Sequence, residues 1–339
     1  MKELPDSIGG LRSLQVLRLR SMDAISVLPN TIGDLLSLKE LQIFDCGGLT
    51  AVPDAVGDLF NLETFSCSSC RYITDLPQTF TALKALRSVN FSSLARVKAL
   101  PDCTGCTFAE LQIRGLRALE TLPEWFGSVG GAITTLSCED LPIKTFPPSF
   151  GTAWTSLAEL AIVGCEEMVD LPPALAALVG LKMLKLQRLS ISDLPSWIGG
   201  MAGLESLAVL HCPLFACLPD EIGGMPVLAN VEIKNCPVLQ ALPATLGAAP
   251  SLETLFVKNC GSAEAPVLLP DSLAASATLA MLAYHSRNSA CPAWVADLPA
   301  LKQLDLPTNA ANTAVLEAAE ARGVMIGSFS APRHALQRA

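Results

Sequence analysis

An apolar residue followed by proline recurs at Leu4-Pro5, Leu28-Pro29, Val52-Pro53, Leu76-Pro77 and Leu100-Pro101, each pair 24 residues after the last. It returns at Leu122-Pro123, Phe146-Pro147, Leu171-Pro172, Leu194-Pro195, Leu218-Pro219, Leu242-Pro243 and Leu269-Pro270. Glycine holds a matching phase at Gly9, Gly33, Gly57, Gly127, Gly151, Gly199, Gly223 and Gly247. So does an LxxLxL core, as in Leu38, Leu41 and Ile43, or Leu252, Leu255 and Val257. A fixed period of about 20–50 residues marks a chain of stacked repeats rather than independent domains. The repeating unit reads LxxLxLxxCxxLxxLPxxIGxLxx.

Each part of the unit has a physical reading. The xLxLx stretch alternates with period two, so it is a short strand with its leucines on one side. One unit cannot bury that side alone, and stacking lets each copy cover the next. A buried leucine contributes about 1.5–3 kcal/mol, so several per unit favour stacking strongly. Proline, with no N–H to donate, suits an extended return segment outside the sheet. Glycine suits a tight bend or a close backbone approach. The return segments are bulkier than the strands, so the stack should curve with its sheet on the inside. The 9-residue stretch Gly261–Leu269 and the irregular unit at Cys103 should disturb that curvature.

Composition excludes several roles. Half of the 339 residues are hydrophobic, yet prolines interrupt every apolar run, so no membrane span is expected. The N-terminus lacks the apolar core of a secretory signal, which points to the cytoplasm. A formal charge of −9 argues against nucleic acid as a partner. The P-loop, GxSxG and HExxH patterns are missing, and His211, His285 and His334 do not cluster. The chain therefore reads as a non-enzyme without metal or cofactor.

Six of the twelve cysteines, Cys46, Cys70, Cys165, Cys212, Cys236 and Cys260, stand three residues after the last strand leucine. Met22, Leu94, Leu116, Leu141 and Leu189 take that place elsewhere, and Asn309 near the end. A small buried side chain there turns the chain out of the strand, and cysteine serves as a small hydrophobe with a weak S–H donor. These thiols are expected to be inert. Cys67 and Cys70 should both be buried. Cys103 and Cys106 sit in the irregular unit; an irregular loop, a metal site and a redox pair all fit them, the loop best, since four zinc ligands cannot be assembled.

The residues between the strand leucines face away from the core and form the candidate binding surface. Arg18, Glu40, Phe44, Arg114 and Glu139 represent its first half. Lys185, Glu232, Lys234, Phe256, Lys258 and His285 represent the second. Lysine or arginine and aspartate or glutamate balance on this face, which suits a protein or peptide ligand rather than an anion. Lys234, Lys258 and His285 occupy equivalent places and should form a short basic row. Phe44 and Phe256 are expected to be exposed, as interface anchors often are.

With many positions agreeing over nearly the whole chain, the unit resembles a leucine-rich repeat. The resemblance implies an α/β solenoid of horseshoe form. A parallel sheet would line its concave face, and short helical or irregular segments its convex face. About 13 units of roughly 24 residues would fill 1–311, a capping helix and strand 312–329, and a flexible tail 330–339. The pattern C..L..LP..IG.L..L..L is similar to the repeats of plant intracellular disease-resistance receptors of the nucleotide-binding type. In these, the repeats sense a ligand or restrain a nucleotide-binding switch. LPxxIGxLxxL is also similar to Ras-suppressor-like scaffolds, which assemble small-GTPase or kinase pathways and usually carry asparagine at the ladder position. The first unit begins without a polar cap, so a further domain is expected before it.

Overall fold

The computed structural model describes residues 3–78, 80–129, 131–262, 264–286 and 290–329 of the chain. The expected tail 330–339 lies outside them. The chain divides into two compact units, Met1–Leu157 with Gly164–Glu167, and Ala158–Val163 with Met168–Ala339.

The first unit carries β1 (Val16–Arg20), β2 (Glu40–Phe44), β3 (Thr64–Ser68), β4 (Ser88–Ser92), β5 (Glu110–Arg114) and β6 (Thr135–Glu139). Each strand pairs parallel with the next in chain order. The register is strict: Leu17 faces Leu41, Leu41 faces Phe65, Phe65 faces Val89 and Val89 faces Leu111. The irregular unit around Cys103 causes no slip between β4 and β5.

The second unit carries β7 (Glu159–Val163), β8 (Met183–Gln187), β9 (Ser206–Leu210) and β10 (Asn230–Lys234). It continues through β11 (Thr254–Cys260), β12 (Met281–Ser286), β13 (Gln303–Asp305) and β14 (Met325–Ile326). These too are parallel and in chain order. The stretch after Cys260 leaves a local mark, a register shift between Lys258 and Cys260. The helix α1 (Thr313–Ala321) precedes β14, and Gly323, at φ 81°, turns the chain out of it.

Alternation decides which side is core. In β2, Leu41 and Ile43 are fully buried while Gln42 between them is not. Opposite the sheet, most of the apolar-Pro pairs open a short 3-10 turn, though those at Pro77, Pro101 and Pro147 do not. The proline carbonyl accepts the N–H three residues on, as from Ile32 to Pro29 (3.1 Å) or Ile198 to Pro195 (3.1 Å). Pro29 itself is extended, at φ −70° and ψ 146°, close to the value its ring imposes. The glycine of the IG pair allows adjacent turns to touch. A Cβ on Gly33 would lie 2.7 Å from the Ala55 carbonyl, and one on Gly223 only 2.1 Å from that of Thr245.

At the strand exit, Ser21, Asp45, Ser69, Ser93, Asp140, Arg188, His211, Asn235 and Asn259 take φ between 51° and 58°, and Gly115 and Gly164 hold the same place. Short polar residues and glycine tolerate this left-handed conformation best. It aims the N–H at a carbonyl near the end of the strand of the following repeat, as from Asp45 to Ser68 (3.0 Å), Ser69 to Ser92 (2.9 Å) and Asn235 to Lys258 (2.9 Å). The cysteine comes next. Cys236 Sγ lies 3.5 Å from the Lys234 carbonyl and 3.7 Å from that of Val209 one repeat back. The backbone N–H of Cys46 donates to Cys70 Sγ at 3.4 Å. The ladder cysteines are buried thiols, as are Cys67, Cys103 and Cys106; Cys217 is exposed.

The thiols perturb one another. The hydrogen bond from Cys67 lowers Cys70 to about 7 against its burial, and the same bond pushes Cys67 well up. Cys103 is raised and Cys106 lowered in the same way, Lys84 and Arg87 adding to the latter. One expectation fails at the end of the ladder. Asn309 is exposed, and the buried asparagine is Asn312. Its Oδ1 accepts the Cys291 N–H (2.9 Å), and its Nδ2 donates to the Pro307 carbonyl (3.0 Å). The chain has turned toward α1 by then, so the position three residues after the strand no longer faces inward.

Two outcomes follow. Gly223→Ala should lower the urea midpoint by the equivalent of roughly 1–3 kcal/mol, while Gly224→Ala, whose Cβ would meet open space, should be near neutral. Equal effects would remove the close-approach argument. Under native conditions a chromogenic thiol reagent should titrate Cys217 rapidly and the remaining cysteines only after denaturation.

Candidate protein-binding face

The register stacks the outward strand residues into three columns. In the first unit the central column runs Arg18, Gln42, Ser66, Asn90 and Gln112, and Ser137 follows on β6. On one side lie Glu40, Thr64, Ser88 and Glu110; on the other, Arg20, Phe44, Ser68, Ser92, Arg114 and Glu139. The charges are paired locally. Arg18 Nε reaches Glu40 Oε1 (2.7 Å) and Arg114 Nε reaches Glu139 Oε2 (3.1 Å). Ser88 and Ser137 donate to Glu110 (2.9 Å) and Glu139 (2.8 Å).

Amides and hydroxyls are left along the middle. Gln42, Ser66, Asn90 and Gln112 line an open depression of about 530 Å³. A second, of about 520 Å³, brings Phe44 and Arg114 together beside Asn90, Gln112, Arg117 and Asp140. Phe44 is 47% exposed, as its phase requires.

The second unit differs. Its central column runs Ala161, Lys185, Ala208, Glu232, Phe256, Ala283 and Asp305. Ala161, Ala208 and Ala283 are buried, as is Met183 on β8, so the floor is smooth and partly apolar. Lys185 stands half-buried between two of those alanines.

Two expectations are corrected here. Phe256 is fully buried rather than exposed. Phe329 from the C-terminal segment packs edge-on against it, with ring centroids 5.5 Å apart, and Lys234 and Lys258 place their Nζ atoms 5.4 and 5.8 Å from its ring. The basic row is also neutralised. Lys234 pairs with Glu232. Asp305 accepts Lys258 Nζ at 2.5 Å and lies 2.7 Å from His285 Nε2.

Sequence reasoning missed the alanine floor, although it occupies the same phase as the polar positions, and it missed Phe329, whose distance along the chain carries no periodic signal. It also passed over Tyr72, flanked by the guanidinium groups of Arg71 (5.2 Å) and Arg96 (4.9 Å) at the loop edge of the first unit. Among the described residues, no group of three or more His, Cys, Asp or Glu side chains could hold a metal ion, and no helix is long and apolar enough to cross a membrane.

No protein-family model matches the chain, and no curated protein matches it significantly. Solved structures do. The chain is similar to a leucine-rich repeat protein of Leptospira interrogans, with a TM-score of 0.61 and 20% identity over 97% of this chain and 93% of that one. A chain of the Drosophila Toll–Spatzle complex aligns at a TM-score of 0.70 and 17% identity, over 90% of this chain and 42% of that one. The functional domain of InlJ from Listeria monocytogenes, which includes a cysteine ladder, aligns at 0.52 and 14%, over 90% and 60%. The fold is therefore that of the leucine-rich repeat proteins, an α/β solenoid built on parallel strands.

The anchor of the basic cluster can be tested. Burial pushes the Asp305 carboxyl up, but its hydrogen bonds and charge contacts with Lys258 and His285 outweigh that and hold it below its ordinary value. Such a group adds stability above its unfolded pKa of about 3.9, and the contribution is lost as pH falls through the folded value. Asp305→Asn should cost roughly 1–3 kcal/mol at neutral pH in urea unfolding. The gap to wild type should close in acid, once the native carboxyl is itself protonated; a pH-independent gap would contradict the assignment.

Proposed function

We propose that the chain is a non-catalytic protein- or peptide-binding module that works through the open faces of its sheet strands. One observation carries this reading. Arg18, Glu40, Arg114 and Glu139 hold one another in place, so the amide and hydroxyl column between them is presented in a fixed geometry, without net charge, beside an exposed aromatic residue. Such a surface hydrogen-bonds a polypeptide without attracting anions, and Phe44 beside Arg114 supplies the anchor chemistry common at protein interfaces. The Toll–Spatzle complex, by its name, joins a protein of this fold to another protein.

The biological setting we favour is ligand sensing or regulation in intracellular, defence-type signalling, in the cytoplasm. The 24-residue unit with cysteine at the ladder position supports it. That ladder also occurs in a bacterial InlJ domain, so the cysteines do not by themselves select a plant receptor. The LPxxIGxLxxL pattern favours a second reading, a scaffold for small-GTPase or kinase signalling.

A photo-crosslinking amino acid placed at Ser66 or Asn90, on the open face, should capture the same protein from cells. The same group at Asp58, on the opposite 3-10 turn, should not. Capture from Asp58 alone would move the binding surface to the other side of the solenoid.

A further inference from the structure

The end of the chain does not run away from the sheet. Gly327 donates to the Leu304 carbonyl (3.1 Å), the last hydrogen bond tying β14 to β13. It then takes φ 148°, in the region that favours glycine, and two residues later Phe329 contacts Phe256 on β11. From β14 to β11 is three strand spacings, about 14 Å. The segment after β14 therefore folds back across the open face of β13 and β12. Phe256 sits in the central column between Glu232 and Ala283, which are buried as it is, and it is the column's one large aromatic side chain among the described residues of this unit, with the Phe329 ring laid against it. Phe329 is only half-buried, so its contact is one ring edge on one ring face rather than a packed core.

What surrounds Phe256 defines what it accepts. Lys234 and Lys258 flank its ring, but Glu232 and Asp305 hold their charges, so the site is not an anion trap. Ala283 on the adjacent strand gives a low apolar floor beside the ring, over which a segment of small residues lies close to the sheet. The resident segment, Gly327-Ser328-Phe329, fits that description: two small residues and then a ring.

We propose that Phe256 forms an aromatic-accepting subsite of the protein-binding face, filled in cis by Gly327–Phe329 as a latch, and that a partner segment with the same small–small–aromatic pattern displaces it. The proposal rests on the reading of this face as a protein-docking surface and names the partner chemistry for its C-terminal end. A tethered segment competes at an effective concentration on the order of mM, which lowers the apparent affinity of any ligand arriving in trans.

The test uses the purified full-length chain and a fluorescein-labelled peptide, Gly-Ser-Phe-Ser-Ala-Pro, copied from residues 327–332. Fluorescence anisotropy should show Phe329→Ala binding the peptide roughly tenfold more tightly than wild type, because the competing segment is disarmed. The double variant Phe256→Ala, Phe329→Ala should lose binding, and so should a peptide with alanine in place of phenylalanine. If the double variant does not fold, Phe256→Leu with Phe329→Ala keeps an apolar side chain in most of the space and removes the ring face. Equal binding by wild type and Phe329→Ala, with a lowered melting temperature for the variant, would make Phe329 a structural cap and overturn the latch. Undetectable binding to Phe329→Ala would overturn the subsite. Either failure leaves the crosslinking outcome at Ser66 and Asn90 untouched, and failure of that crosslinking leaves the peptide titration interpretable.

Discussion

Parallel strands sit about 4.8 Å apart, and every repeat must complete its whole circuit within that advance. Most of the unit can be derived from this limit. The strand exit bends through a single left-handed residue, so the N–H of Asp45 or Asn235 reaches a carbonyl near the end of the next strand instead of being lost in a wide turn. The residue after it must be small and able to satisfy nearby backbone groups, which a thiol does. On the far side, Gly33 and Gly223 lie against the carbonyl of the next turn at distances that exclude a methyl group. Leucine, cysteine, proline and glycine thus answer one geometric demand at four points of the same loop.

That demand repeats, and so the period was legible in the sequence. Strand positions, inward leucines and the buried ladder cysteines follow from phase; proline marks the extended return segment, but the 3-10 turns that follow most of the prolines are not in the pattern. Phase also placed Phe44 and Arg114 on the open face, though not in one depression. What it could not show were features set by a single neighbour. Asn309 has the phase of a ladder residue, but the turn into α1 passes that role to Asn312. Lys258 and His285 have the phase of a basic row, but Asp305, which β13 brings alongside, neutralises them. Phe256 has the phase of an exposed anchor, but it is fully buried, with Lys234, Lys258 and the returning Phe329 against its ring. The left-handed exits were readable in principle, since serine, aspartate, asparagine and glycine crowd that column, but Arg188 and His211 blur the signal.

The two units use one scaffold to build different surfaces. In the first, polar side chains with paired charges border an amide and hydroxyl column. In the second, alanines and a buried ring replace much of that polarity. The change costs the fold little, because the outward column contributes nothing to the leucine core beneath it. Structures as distant in sequence as those from Leptospira, Drosophila and Listeria share the scaffold.

The unbroken 24-residue alignment of Ser206, Asn230 and Thr254 has an evolutionary corollary. Any copy between β9 and β11 begins and ends at interchangeable points, so unequal recombination can duplicate or delete one without creating a foreign junction. The gene can thereby lengthen or shorten the docking surface in whole-strand increments while point mutations retune each added row.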